Sequence, residues 1–138
     1  MRIVLDTNVV VSGLLWRNTP HRLLECAVED ETTELFSSPA LLAELTEVLE
    51  RAHLAPKLTE LNSSVEALVA LYGTFVQLVT PASVDHVAPD PDDDEAIACA
   101  IAAGATLLVT GDRTLLALKI HQNVEIVSPA QALQRLTA

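Results

Sequence analysis

Aromatic side chains are nearly absent from this 138-residue chain, which has one Trp, one Tyr and two Phe. Half of its residues are nonetheless hydrophobic, so the core has to be aliphatic, built from Leu, Val, Ile and Ala. Positive charge is scarce too: eight Lys and Arg stand against 19 Asp and Glu, a formal net charge of −11. Proteins that grip phosphates usually carry an excess of Lys and Arg. Composition alone therefore argues against a nucleic-acid partner and for a bound cation or a basic protein partner. There are two cysteines. Cys26 and Cys99 are far apart, match no metal or redox spacing, and read as small buried residues in a reducing compartment. No apolar run reaches the ~18 residues that a membrane span needs. The opening MRIVLDTN meets Asp6 after three apolar residues, which is not the pattern of a signal peptide. The expectation is a cytoplasmic chain without a membrane anchor, folded as one domain over 1–138, long enough to bury a real core.

Strand-like and helix-like segments alternate along the chain, which argues for an α/β domain with a parallel sheet. Ile3-Val4-Leu5 is a continuous apolar run, as expected of a strand covered on both faces. Thr33 to Phe36, Phe75 to Val79 and Leu107-Leu108-Val109 follow as strands, with Val124 to Val127 as an edge strand. Between them the sequence predicts a helix from about Pro20 to Val28 with Thr19 as cap. A second opens at Ser38 with Pro39 in the first helical position. Others cover 59 to 72, capped by Thr59 or Ser63, and 93 to 103, stopped by Gly104. A short helix is expected at 113 to 118, and a last one at 129 to 136 after Ser128.

The stretch PDPDDDEAIACA, residues 89 to 100, crowds four aspartates and a glutamate in front of an apolar helix. Acids at a helix start are often no more than caps favoured by the helix dipole. Geometry asks for more here. In a parallel sheet every strand C-terminus opens on one edge, so Asp6 and Asp112 share that edge. In the helix opened by Ser38, Glu47 and Glu50 point away from the apolar stripe, while Glu44 sits on its flank. In the 93 to 103 helix, with a stripe of Ala96, Ile97, Ala100 and Ile101, Asp93 falls close to the stripe axis and Asp94 on its flank. Glu95 falls opposite, and Asp90 and Asp92 precede the helix. Two unit charges ~5 Å apart repel by roughly 3 kcal/mol at an effective dielectric of 20. Four converging carboxylates therefore need either protons or a hard divalent cation. Oxygen-only ligands without histidine favour Mg²⁺ or Mn²⁺ over zinc.

IVLDTNVVVSGLL, SPALLAELTEVLER, DPDDDEAIACAIAAGATLLVTGD and IVSPAQAL, in this order and spacing, resemble a PIN-domain ribonuclease. The likeness is to the small VapC-like toxins of prokaryotic toxin–antitoxin modules, and it spans nearly the whole chain. It implies a three-layer α/β/α fold with a five-stranded parallel sheet in the order 3-2-1-4-5. It matches the acids to Asp6, Glu44, Asp93 (seven residues before Ala100) and Asp112, which follows Val109-Thr110. Where many relatives carry one further acid after the last of these, this chain has Arg113, Thr114 and Leu115, and Asp94 is the substitute at hand. The implied chemistry is metal-assisted hydrolysis of RNA phosphodiesters. Asp6, Asp93 and Asp112 would hold one or two Mg²⁺ or Mn²⁺ ions, and Glu44 would bind them or orient the attacking water. Thr7, Asn8, Ser12 and Thr110 would touch a metal water or a carboxylate, or satisfy local backbone. Implied partners are RNA, an antitoxin protein with a basic segment, and a second copy of the chain in a homodimer.

RNA contacts in so acidic a chain would come from Arg17, His21, Arg22, Arg51, Lys57 and Arg113, each of which reads equally well as ordinary surface charge. Trp16 is either a base-stacking residue or part of a core or dimer interface. Two other readings stand beside the ribonuclease. A Mg²⁺-dependent phosphatase of the haloacid-dehalogenase type would need a second Asp where this chain has Asn8. A catalytically weak PIN scaffold would act through protein or RNA contacts alone.

Overall fold

The computed structural model describes the backbone of residues 1–81 and 91–138, and the side chains of 1–81 and 95–138. The first strand, β1 (Arg2–Leu5), has nowhere to expose a side chain after Arg2: Ile3, Val4 and Leu5 are all buried. It lies between β2 (Glu34–Ser37) and β4 (Leu107–Val109), parallel to both. Outside these run β3 (Val76–Leu78), parallel to β2, and β6 (Val124–Val127), parallel to β4. The parallel sheet expected from the sequence is therefore present in the expected order. It gains a two-residue strand, β5 (Ile120–His121), antiparallel to β6 at the edge, so the order is β3-β2-β1-β4-β6-β5. This addition was not legible, because the hairpin turns on Gln122 and Asn123, both with positive φ (46° and 70°), and Gln seldom marks such a turn.

Side chains alternate across the sheet and so build two cores. Ile3, Leu5, Leu35, Leu107, Val109 and Val127 face α1 (Thr7–Leu15), α2 (Thr19–Glu29), α3 (Pro39–Leu49), α5 (Val65–Phe75) and α8 (Pro129–Thr137). Val4, Phe36, Leu108, Val124 and Ile126 face α6 (Pro91–Ala102) and the short α7 (Arg113–Leu116). This is the three-layer α/β/α arrangement.

Helix α1 was not foreseen in the sequence, where the first helix was expected only from about Pro20. Val9, Val10, Val11 and Gly13 are poor helix formers, but all four are buried, and tertiary packing outweighs propensity over so short a segment. Gly13 is required by the α1–α2 crossing, where an added Cβ would meet the Pro20 backbone oxygen at 3.1 Å. The cap of α2 is Asn18 rather than Thr19: its side chain accepts the His21 N–H at 3.1 Å. The helix expected over 59 to 72 is two helices, α4 (Ala55–Glu60) and α5, because Asn62 takes φ 54° and Ser64 opens a new cap. On α6 the residues packed into this core are Ala96, Ile97, Cys99 and Ala100, with Ala103 just past its end, whereas Ile101, expected in the stripe, is exposed. The helix packs against α3 as well as the sheet, which turns its buried face toward Cys99.

Gly104 ends α6 at φ +61°, and the Gly104 and Ala105 N–H groups return to the Ile101 and Ala100 carbonyls at 3.1 and 2.9 Å. This is a Schellman closure. Gly104→Ala is expected to lose about 1 kcal/mol, since a Cβ is disfavoured in the left-handed region; urea unfolding measures it. Burial pushes the Cys99 thiol up to about 11, against a smaller opposing effect of a hydrogen bond with Ser38. The thiolate is the reactive form. A thiol reagent at pH 8 should therefore modify one cysteine per native chain, Cys26, and both after denaturation, with native Cys99 reacting only as the pH approaches its raised value.

Candidate active site

Asp6 is the last residue before α1 and the first after β1. Its N–H donates to the Val109 carbonyl at 2.9 Å, continuing the ladder between β1 and β4, and its own carbonyl accepts the Val9 and Val10 N–H groups. In the structure Asp6 is itself the cap: its Oδ1 accepts the Thr7 N–H at 2.9 Å. The carboxylate is only 5% exposed, and its other oxygen, Oδ2, accepts the Thr110 hydroxyl at 2.8 Å. These two bonds orient the carboxylate.

Thr110 leaves β4 on the same edge. Its N–H donates to the Val127 carbonyl at 2.9 Å, joining β4 to β6, and the residue is fully buried. Its hydroxyl also accepts the Asp112 N–H at 3.0 Å. One oxygen thus connects the acid of β1 to the backbone of the acid that follows β4. Asp112 is half-buried and caps α7 by accepting the Thr114 N–H at 2.7 Å through Oδ1. Thr110, expected to touch a metal water or a carboxylate or to satisfy local backbone, donates its hydroxyl to the Asp6 carboxylate and so links the two acids. Thr7, named with it, is buried (2% exposed), and its Oγ1 has no hydrogen-bond partner among the described residues. A buried hydroxyl left unsatisfied beside a carboxylate is costly, and it is the sort of group that a metal-bound water would satisfy.

Glu44 lies in the second turn of α3, which starts at the same sheet edge behind the Ser38 cap. It is half-buried, between the buried Leu41 and Val48 on one face, whereas Glu47 and Glu50 are exposed. The wheel reading of these three acids is thereby met. Asp93 and Asp94 occur in the first turn of α6, but their side chains are outside the described residues, and Asp90 lies outside them altogether. Among the described residues no three His, Cys, Asp or Glu gather closely enough to hold a metal ion. The donors that are in place, Asp6 and Asp112 with the Thr7 hydroxyl nearby in sequence and structure, are all oxygens, the donor type that a hard divalent cation takes.

The residues expected to reach substrate divide. Asn8 is exposed in the first turn of α1, and Arg17 is exposed just past its end. Arg22 is exposed on α2, with its guanidinium 3.4 Å from the Thr19 hydroxyl, and lines a cleft shared with Leu133 and Thr137 of α8. His21 is tied down: Nδ1 is 2.8 Å from the Gly13 carbonyl and Nε2 3.3 Å from Glu25, a lock between α1 and α2. No helix among the described residues is long and apolar enough to cross a membrane.

Comparison with known proteins comes to the same place. The PIN domain family model matches residues 2–114. The chain is similar to the uncharacterized protein MJ1680 of Methanocaldococcus jannaschii, with 28% identity over 120 residues, covering 86% of this chain and 76% of that protein. Its fold is shared with the crystal structure of VapBC2 from Rickettsia felis bound to a DNA fragment from their promoter. There the TM-score is 0.65 at 16% identity, over 93% of this chain and 98% of the other.

Thr110→Val should leave the Asp6 carboxylate and the Asp112 N–H each short of a partner in a buried place. A loss of about 1–3 kcal/mol in urea unfolding is expected, with Thr110→Ser close to the parent because it keeps the oxygen. Equal stability of the valine variant would remove the hydroxyl from its bridging role.

Proposed function

The chain belongs to the PIN domain family, and on that premise we propose that it is a Mg²⁺- or Mn²⁺-dependent ribonuclease, the toxin of a toxin–antitoxin pair. The observation that carries this reading is the Asp6–Thr110–Asp112 network, in which one buried hydroxyl fixes two acids from separate strands at the sheet edge. Asp6, Asp93 and Asp112 hold the ion or ions, with Asp94 as a further ligand, and Glu44 helps hold them or orients the attacking water. When bound, the metal supplies a water of lowered pKa and positive charge to offset the phosphorane-like transition state.

The chain's own residues then do the following. Thr110 keeps Asp6 turned toward the site, and the Thr7 hydroxyl takes a hydrogen bond from, or gives one to, water at the metal. Asn8 sits at the exposed mouth, where a phosphate or ribose arrives, and Arg17 and Arg22 contribute positive charge to the strand. All 138 residues act as one cytoplasmic domain. The acidic surface suits the basic segment of an antitoxin chain, a reading supported by the fold shared with VapBC2. A homodimer assembles a longer groove for RNA than one copy offers.

Cleavage of single-stranded RNA tests the reading, with Mg²⁺, with Mn²⁺ and in chelator, for the parent and for Asp6→Asn checked for folding by circular dichroism. Cleavage is expected only with metal. The variant should lose at least the roughly hundredfold that removal of an outer-shell partner alone can cost. Metal binding without cleavage would assign the chain to the scaffold class, and hydrolysis of a small phosphomonoester through a phospho-aspartate would assign it to the phosphatases.

A further inference from the structure

Trp16 ends α1 as its C-cap and is 42% exposed. For the one tryptophan of a chain with four aromatic residues in all, that is an unusual place. Large aromatic side chains are normally the first to be buried, and here the core leaves this one outside. The Lys57 ammonium of α4 lies 5.8 Å from the ring centroid, within the range of a cation–π contact. Lys57 is itself 22% exposed and has Glu60 at 3.4 Å. Arg17 follows Trp16 directly and is exposed, and Arg51, also exposed, opens the 3-10 turn Ala52–Leu54 that leads into α4. Arg17, Arg51 and Lys57 belong to the chain's meagre set of eight Lys and Arg residues. Others are engaged elsewhere: Arg2 with the Ala103 carbonyl and the Phe36 ring, Arg135 with Glu125.

We propose that Trp16 and Lys57 form a base-stacking subsite for single-stranded RNA, outside the catalytic acids and resting on the ribonuclease reading. The ring face turned away from Lys57 takes a base, and the ammonium over the other face takes the adjoining phosphate. Stacking on an aromatic flanked by cations is the general mode of single-strand recognition. Position supports it: Asp6 and Trp16 cap the two ends of α1, so the subsite stands about 15 Å along the helix from the candidate site, within the reach of a few nucleotides. Charge decides against a protein partner. Seating an apolar surface on Trp16 would strip water from Lys57, which is costly without a new ion pair, and lysine is depleted in protein interfaces. A phosphate, by contrast, replaces the exposed Glu60 contact, and surface ion pairs of that kind hold weakly.

Because Trp16 is the sole tryptophan, its fluorescence reports on the subsite alone. The full chain in chelator is titrated with a single-stranded octaribonucleotide and with the same sequence as a duplex. Affinity is measured in parallel with end-labelled RNA. Saturable quenching by the single strand and much weaker quenching by the duplex are expected. Trp16→Ala should weaken single-strand affinity about five- to hundredfold, Trp16→Phe should keep most of it, and Lys57→Ala should flatten its salt dependence. The subsite is refuted if labelled RNA binds without quenching, if Trp16→Ala binds as the parent does, or if Trp16→Ala changes the oligomeric state in place of the affinity, which would make this a protein contact. RNA cleavage by the parent separates the two proposals. If it persists while Trp16 proves indifferent, only the subsite falls; if metal-dependent cleavage is absent as well, the ribonuclease reading falls with it.

Discussion

A single hydroxyl holds the candidate site together. Thr110 Oγ1 gives its proton to Asp6 and takes one from the Asp112 backbone, at 2.8 and 3.0 Å, in a place where water does not reach it. At low local dielectric such bonds are worth more than on the surface, and leaving one unmade costs the whole desolvation of the abandoned group. The arrangement is therefore close to all-or-none. Asp6 is at once the end of a strand, the cap of a helix and the anchor of a neighbouring strand through Val109. Its carboxylate is aimed by the fold and not by its own rotamer freedom, which is what a pre-organised site requires.

The sheet makes that aim rigid. The inward side chains of its central strands are mostly aliphatic, alternating between two cores that share no residue. With so few aromatic rings, packing relies on branched residues in the strands and on alanines in α6, where Ala96, Cys99 and Ala100 are fully buried. Small side chains let that helix lie close to the sheet and to α3. At its C-terminal end α6 passes into β4 through the Gly104 turn.

Net charge and local charge say different things about partners. A total of −11 repels a polyanion at long range, but the repulsion is screened within about 10 Å at ordinary ionic strength. Recognition then depends on what the surface shows locally. Lys57 lies over Trp16, and Arg17 and Arg51 are exposed beside Trp16 and at the turn into α4 in the chain order, so an acidic protein retains a basic-aromatic platform. Nothing in the overall charge balance reveals it.

Much of this protein was legible in one dimension. Continuous apolar runs announced the parallel strands. Ser38-Pro39 and Ser128-Pro129 announced two helix starts that the structure keeps. The position of Glu44 on its helix followed from counting by 100° steps. These features are local, set by burial on both faces of a strand or by the stereochemistry of a cap. What failed was also physical. Helix α1 hides in β-branched residues because packing, not propensity, makes it. Ile101 fell outside the buried face because a second helix, not only the sheet, claims that face. The bond from Thr110 to Asp6 and the meeting of Trp16 with Lys57 join residues far apart along the chain. No spacing encodes such pairs, since only the folded backbone fixes which distant atoms come within hydrogen-bonding or ring-stacking reach. Sequence alone determined which chemical groups line the sheet edge; tertiary structure decided which of them are held, which are open, and by what.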